Sequence, residues 1–532
     1  MSEKKNIARA AGVLGFATII SRIMGMVRDM VVSRLFGAGF ATDAFIAAFQ
    51  IPNMLRRFFA EGALTSAFVP TFSEWYTRKG EEEARELANI CFTLLTIVMA
   101  AVTLLGVIFS PQIVHLMFPG FARVPPLTLP NGEITTKLEL TVLLNRLMFP
   151  YIFFISLVAL FMGILNTVRH FFTPAISTVF LNLAMIGCAV FLHNKFAVPI
   201  TALAVGVLLG GVLQFLLQLP TLYRKGFRLR PRFGFSHPAV RKIALLMGPS
   251  VFGVGVYYLN ITVGNILASL LPQGSVSYLY YAQRLFEFPQ GIFTVSVAQA
   301  VLPSMSRQAA AGEMEGHKES LGFGLRLTLF ITIPAMAGLM ICATPILSLL
   351  FMGGVFDYEK AVQCGKALFF YSMGLSVVAL VRVLVPAFYS LKDTRTPVLV
   401  ALAAFILNLL FSLMLMGPLR HGGLALASTL SALCQMAMLL YLLRGKIGPF
   451  GGRKIFTAGV KSALASVPMA LVVFWGMRLT DWTLAGHKLA KGATLLGVVG
   501  VGVGVYFASA HLVQCEEARE AVKLVRKKVL KR

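Results

Sequence analysis

Long apolar runs alternate with short polar breaks along the whole chain. Segments such as 87–110, 198–220 and 491–513 each approach the ~20 apolar residues that cross a bilayer. Fourteen stretches of this kind are predicted as helices: 10–34, 43–72, 87–110, 138–165, 173–193, 198–222, 242–270, 277–305, 321–346, 360–390, 397–416, 422–443, 456–478 and 491–513. Helices are the economical solution, because each satisfies its own backbone hydrogen bonds in lipid. No ten-residue alternation of the kind that builds a membrane β-barrel occurs. The pattern therefore predicts an all-α polytopic membrane protein with 14 transmembrane helices.

The longest polar break within the apolar region, 223–242, falls after the sixth helix, and the two sides of it resemble each other. Ser156-Leu-Val-Ala-Leu160 in helix 4 matches Ser376-Val-Val-Ala-Leu380 in helix 10. Thr173-Pro174 and Thr396-Pro397 open helices 5 and 11, each followed by Asn-Leu at Asn182 and Asn408. Gln214 answers Gln435, and Phe68-Val-Pro70 answers Val301-Leu-Pro303. Shared order and a near-constant offset argue for duplication, and six helices per half make the two repeats parallel. The division is then a six-helix lobe over 1–222, a basic linker over 223–241, a second six-helix lobe over 242–445, two extra helices in 446–513 and a tail over 514–532. Matched interruptions mark a working site: Pro52 and Pro70 in helix 2 against Pro289 and Pro303 in helix 8, and Gly25 in helix 1 against Gly248-Pro249 in helix 7.

Composition agrees with the pattern. Hydrophobic residues make up 57% of the 532 and charged ones 13%, where soluble domains carry roughly 25%. A net charge of +26 raises the question of nucleic acid, but its placement argues otherwise. With residue 1 in the cytoplasm, cytoplasmic segments hold 29 lysines and arginines, seven of them in 224–242 and seven in 519–532. The opposite side holds five: Arg123, Lys137, Lys195, Arg420 and Lys488. That asymmetry is the positive-inside signature and puts both termini in the cytoplasm. No basic face interleaved with aromatics offers itself to nucleic acid. Lys4, Lys5 and Arg9 open an apolar run that Arg22 and Arg28 break, so the N-terminus reads as a retained helix and not as a removed signal peptide. The 6 cysteines and 8 histidines show no metal-ligand spacing, so neither a metal nor a cofactor is expected. The tail from Cys515 is a basic amphipathic stretch expected to lie on the cytoplasmic leaflet.

Charges within the spans carry the functional argument, since a charge at mid-bilayer normally faces a cavity or a partner. Cations exceed anions there, and several have a bland explanation. Arg57 and Glu61 are spaced to pair on one helix face, as are Arg284 and Glu287, and Arg22 and Asp29 also share a face. Asp43 complements the dipole at the start of helix 2, and Arg34 and Arg146 can snorkel from span ends. Arg28 and Arg56 are left without an obvious local partner, and Arg284 shares a single carboxylate. An arginine fork recognises phosphate bidentately, so three of them from helices 1, 2 and 8 predict a cavity for an anionic substrate with a pyrophosphate headgroup. No GxxxxGK[ST] motif supplies nucleotide energy and no nucleophile elbow marks a hydrolase, so export would draw on a gradient, a downstream pull or the membrane potential.

These residues also carry a family resemblance. Ser21-Arg-Ile-Met-Gly-Met-Val-Arg-Asp29, Phe36-Gly-Ala38, Ala41-Thr-Asp43, Ile51-Pro-Asn-Met-Leu-Arg-Arg57, Phe59-Ala-Glu-Gly62, Tyr280-Tyr-Ala-Gln-Arg284 and Glu287-Phe-Pro289 resemble the MurJ/MviN family of lipid II flippases. That family lies within the multidrug/oligosaccharidyl-lipid/polysaccharide exporter superfamily. The resemblance implies a V-shaped fold of fourteen helices, with the last two forming a groove for an isoprenoid tail. It implies a transporter, not an enzyme, that moves lipid II, an undecaprenyl-pyrophosphate-linked disaccharide peptide, across the bacterial cytoplasmic (inner) membrane. It also implies substrate-binding positions at Arg22, Arg28, Asn53, Arg56, Ser277 and Arg284, with supporting or gating positions at Asp29, Asp43, Glu61 and Glu287. Gln283 stands where some relatives carry an acid, and no coupling ion is indicated. Two alternatives remain at this point: an exporter of another polysaccharide-lipid or drug, and a membrane enzyme acting on isoprenoid phosphates, which would need a cluster of acids or histidines.

Overall fold

A computed structural model of the chain describes residues 3–57, 64–128, 132–291 and 295–519. It divides into two compact units, Met1–Val276 and Ser277–Arg532. The first contains helices α1 (Glu3–Phe36), α2 (Phe40–Arg56), α3 (Thr65–Arg78), α4 (Glu81–Ile108), α5 (Ser110–Met117), α6 (Lys137–Met148), α7 (Tyr151–Thr167), α8 (Phe172–Leu192), α9 (Thr201–Arg224) and α10 (Pro238–Ser269). A two-stranded hairpin pairs Leu127 with Thr135 and Thr128 with Ile134. Helix α11 (Ser275–Pro289) leads into the second unit, which continues with α12 (Val295–Ala311), α13 (Met314–Ile341), α14 (Ala343–Phe351), α15 (Tyr358–Met373), α16 (Leu375–Ser390), α17 (Arg395–Leu419), α18 (His421–Ile447), α19 (Gly452–Met477) and α20 (Lys488–Leu512).

Among the described residues nine helices are long and apolar enough to cross a membrane, or ten if α15 and α16, bent by 44°, form one span. Their outward faces carry exposed Leu104, Phe191, Met414, Leu496 and Leu512. So much uncovered apolar surface belongs against lipid tails and not water. Gly25 and Gly248-Pro249, expected as interruptions, do not end their helices: α1 and α10 run through them. The interruptions fall elsewhere. The turn at Phe149-Pro150 separates α6 from α7, and Gly374 separates α15 from α16. Wider π-type turns occupy Arg57 and Leu64 beside α2 and α3, and Gln290 and Gly291 after α11. Proline explains the first, because it lacks the amide needed to continue the ladder.

In the first unit α9 presents glycines to α8, which lets the two backbones close up as small residues do in membrane helix pairs. A Cβ at Gly206 would lie 2.8 Å from the Met185 Cα, and one at Gly210 2.9 Å from the Leu181 Cα. Helix α1 also packs on α8, α2 packs on α6, and α10 packs on α3. Phe68, Phe72, Leu87, Phe161 and Ile164 form an aromatic and aliphatic core where α3, α4 and α7 meet.

The second unit is organised around α13, which touches α12, α15, α16 and α19. Leu325, Val383, Leu384 and Leu439 fill one side of it. On the other side Ala465, Met469, Val473 and Tyr506 seat α19 and α20, and the Tyr506 hydroxyl donates to the Phe330 carbonyl at 2.6 Å. Asp393 fixes the start of α17: it accepts from the Thr396 amide at 3.0 Å and from Lys446 of α18. The Lys446 ammonium and the Thr396 hydroxyl beside it hold its carboxyl well below the usual carboxylate range.

The α8–α9 contact yields a test. Gly206→Val must push apart Met185 and the Ala184 carbonyl, 3.2 Å away, and overpacking of this kind costs about 1–3 kcal/mol. Thermal unfolding of the detergent-purified protein should show a lowered midpoint, while Gly492→Ala, whose added Cβ would meet nothing within 4 Å, should unfold as the parent does.

Candidate functional site

Each cationic helix arranges its charges through local chemistry. On α1, Arg28 and Asp29 are both buried. The Arg28 guanidinium donates from Nε at 3.0 Å and from Nη2 at 2.7 Å to one oxygen of Asp29, and from Nη1 at 3.1 Å to Asn182 Oδ1 on α8. Arg28 is thus held on two sides, and Asp29 engages its neighbour where the sequence spacing pointed to Arg22. Arg22 itself is exposed and joins none of the ion pairs among the described residues. Ser21, beside it, accepts from Thr178 at 2.9 Å and ties α1 to α8 a second time.

Helix α2 opens after Phe36-Gly37, where the Thr42 hydroxyl donates to both the Phe36 and Gly37 carbonyls, at 3.1 and 3.0 Å. One residue on, Asp43 is buried against Lys137 of α6, with Nζ 2.7 Å from Oδ2. The same oxygen accepts from the Gly274 amide at 2.7 Å, and Gly274 reaches it from a left-handed conformation (φ +93°) that a side chain would strain. Lys137 lies 4.3 Å from the centre of the Phe121 ring. It is placed by a capping box at the head of α6, in which Thr136 and Glu139 satisfy each other's amides. Helix-dipole complementarity therefore does not account for Asp43 by itself: a buried ion pair does. Lys137, counted in sequence as an outer-loop charge, is its partner.

Further along α2, Asn53 accepts from Arg56 Nε at 3.1 Å, so two expected positions are brought together on one face. Both are half-buried and lie at the edge of the π-type turn at Arg57, a local widening that recurs at functional sites. Glu61, with its expected pairing to Arg57, lies outside the described residues.

In the second unit Ser277 is buried at the start of α11 and Arg284 is half-buried on it. Arg284 donates from Nη2 to the Tyr280 hydroxyl at 3.3 Å, sits over the Tyr280 ring at 5.1 Å, and approaches Glu287 at 3.8 Å. Gln283 donates to the other oxygen of Glu287 at 3.2 Å. Glu287 is the one carboxylate on this helix. At the helix's end, Arg382 of α16 donates to the buried Gln290 at 2.9 Å, inside the second π-type turn.

Residues 32–491 match the family model described as lipid II flippase MurJ. The chain belongs to that family. It is 38% identical to the probable lipid II flippase MurJ of Vibrio cholerae serotype O1, over 95% of each protein. It is 34% identical to the lipid II flippase MurJ of Burkholderia cenocepacia, over 94% of this chain and 96% of the relative. Among solved structures, a lipid II flippase MurJ in an inward closed conformation superposes with a TM-score of 0.75 at 27% identity, over 94% of this chain and 98% of that one. An inward-facing multidrug-resistance transporter of the MATE family shares the fold at a TM-score of 0.67 and 14% identity, over 83% of this chain and 99% of that one.

Against the positions that membership in the MurJ family implied, Lys137, Asn182, Gln290 and Arg382 are additions. Asn182 had a signal in sequence, since it belongs to the Asn-Leu pair repeated at Asn408. Lys137 had none, because a loop lysine and a buried lysine look alike without their neighbours. Removing one member of a buried ion pair costs about 3–5 kcal/mol, while replacing both is far milder. Lys137→Met should therefore lower the thermal midpoint strongly, and Lys137→Met with Asp43→Asn should recover most of the loss. A double variant no more stable than the single one would show that the two charges are not coupled.

Proposed function

We propose that this chain carries lipid II from the cytoplasmic to the outer leaflet of the bacterial inner membrane by alternating access. Family membership across residues 32–491 carries this reading, and the excess of guanidinium groups within the helices supports it. A lipid-linked pyrophosphate is the kind of anion that arginine forks hold bidentately. In this reading Arg28, Arg56 and Arg284 contact the pyrophosphate, and Asn53 aligns Arg56. Asp29 neutralises Arg28 before substrate arrives, so the guanidinium does not stand as a bare charge in low dielectric, and a phosphate oxygen then joins the pair. Asp43 and Glu287 hold neighbouring elements in place, and the isoprenoid tail follows α19 and α20.

The fourteen expected spans are read as two parallel six-helix repeats followed by these two helices. Interruptions at equivalent places support that reading: Phe149-Pro150 in the fourth span and Gly374 in the tenth, with π-type turns in the second and the eighth. Both termini are assigned to the cytoplasm by the lysine and arginine asymmetry.

Arg28→Ala, Arg56→Ala and Arg284→Ala should each abolish rescue of cells depleted of their own lipid II flippase, with normal membrane insertion. Lysine at these positions should rescue poorly, because an ammonium keeps the charge but not the fork. Growth with all three alanine variants at ordinary expression would remove the pyrophosphate clamp from the mechanism. For topology, Ser236→Cys and Ile134→Cys in a cysteine-free background are to be labelled with an impermeant maleimide. Ile134→Cys should react in intact cells and Ser236→Cys only after permeabilisation; the reverse order would invert the assignment.

A further inference from the structure

The segment between α9 and α10 is rich in arginine, as a cytoplasmic loop should be, but it is not a loose tether. From Phe227 to Arg230 its residues alternate between buried or half-buried and exposed. Phe227 is buried and Leu229 packs on the core of the first unit, while Arg228 and Arg230 point outward. Its backbone is stapled to α4: the Arg230 amide donates to Asn89 Oδ1 at 3.0 Å and the Arg232 amide to Thr93 Oγ1 at 2.8 Å. The Arg232 side chain adds a pair with Glu86 at 3.0 Å. Gly234 then closes on Ile90, where a Cβ would meet the Ile90 side chain at 2.7 Å.

That last contact sets the depth. Ile90, Ile97 and Leu104 fall seven residues apart on one face of α4. The loop covers the first, which is 2% exposed, and leaves the next two bare at 48% and 61%. Ile97 is about 10 Å farther along the helix axis, so the lipid-facing stripe of a span begins where the loop ends. At that edge Phe233 and Phe235, on either side of the glycine, are 68% and 72% exposed. Two bare phenylalanines flanked by outward Arg228, Arg230 and Arg232 have no explanation in water. At the boundary of an anionic leaflet they do: the rings enter the acyl region, and the guanidiniums meet phosphate at headgroup level.

We infer that residues 228–235 form an interfacial binding site for anionic phospholipid headgroups of the inner leaflet, distinct from the residues assigned to the transported substrate. The phosphodiester and its negative headgroup lie among Arg228, Arg230 and Arg232, and Phe233 and Phe235 enter beside the first acyl carbons. Because the segment is tied at three points to α4 and continues into α10, lipid captured here also holds the first unit at a fixed height in the bilayer.

The test uses the full chain in nanodiscs. Phe233→Trp and Phe235→Trp each add a tryptophan whose fluorescence, after subtraction of the parent's, should be quenched by phospholipid brominated near the headgroup and left unaffected by aqueous iodide. Quenching by iodide alone would overturn the proposal and leave the surface to a soluble protein partner. Separately, Arg228→Gln/Arg230→Gln/Arg232→Gln should cut the preference for phosphatidylglycerol over phosphatidylcholine, read as lipid retained in native mass spectrometry, by about tenfold or more. Retained preference in that variant, with the helical signal of the parent, would equally refute it. Both sets of changes lie on exposed side chains, so the fold is expected to survive them.

Discussion

The constraint on which this structure turns is the cost of charge inside a span. A guanidinium or carboxylate in hydrocarbon must find its counter-charge within the protein, since neither water nor lipid tails supply one. Arg28 meets that demand through Asp29 and Asn182, and Asp43 through Lys137 and the Gly274 amide. Arg284 meets it in part through Tyr280 and Glu287. Such pairs do little for stability compared with apolar residues of the same size. The helices are packed so that these partners coincide.

Packing follows from the same economy. Lipid tails are as apolar as leucine, so helices in a bilayer gain little from hydrophobic association and rely on close backbone approach and buried polar contacts. The glycine face of α9 against α8 is the clearest case, and α8 in turn offers Asn182 to Arg28 and Thr178 to Ser21. One helix thus couples a tight backbone contact with α9 to the placement of the buried Arg28 guanidinium on α1. The π-type turns at Arg57 and Gln290 act comparably, since the extra residue in the turn changes the direction in which nearby side chains project.

At the membrane surface the demands invert. Charges there are cheap, and exposed aromatic rings need an explanation. The segment after α9 meets both conditions with a short alternating stretch, buried Phe227 and Leu229 inward and arginines outward, fastened to α4 by backbone hydrogen bonds. A run that reads in sequence as an orientation signal is, in the folded chain, a shaped surface.

Hydropathy and charge placement were enough to establish a helical membrane protein, and the motifs around Arg28, Arg56 and Arg284 were enough to establish the family. Both properties are local: a run of apolar residues, or a short string of side chains, carries them without reference to the rest of the chain. Breaks were legible only in part. Gly25 and Gly248-Pro249 looked like interruptions, yet α1 and α10 run through them, because neighbouring helices in a bilayer can sustain a helix across residues that would end it in water. The partners of the charges were the least legible. Asp29 could have paired with Arg22 seven residues away as readily as with Arg28, and nothing in the order of residues brings Lys137 to Asp43 or Asn182 to Arg28. Those pairings depend on how α1, α2, α6 and α8 approach one another. Tertiary structure decided them, because a charge in low dielectric is satisfied by whichever group the packing brings within reach.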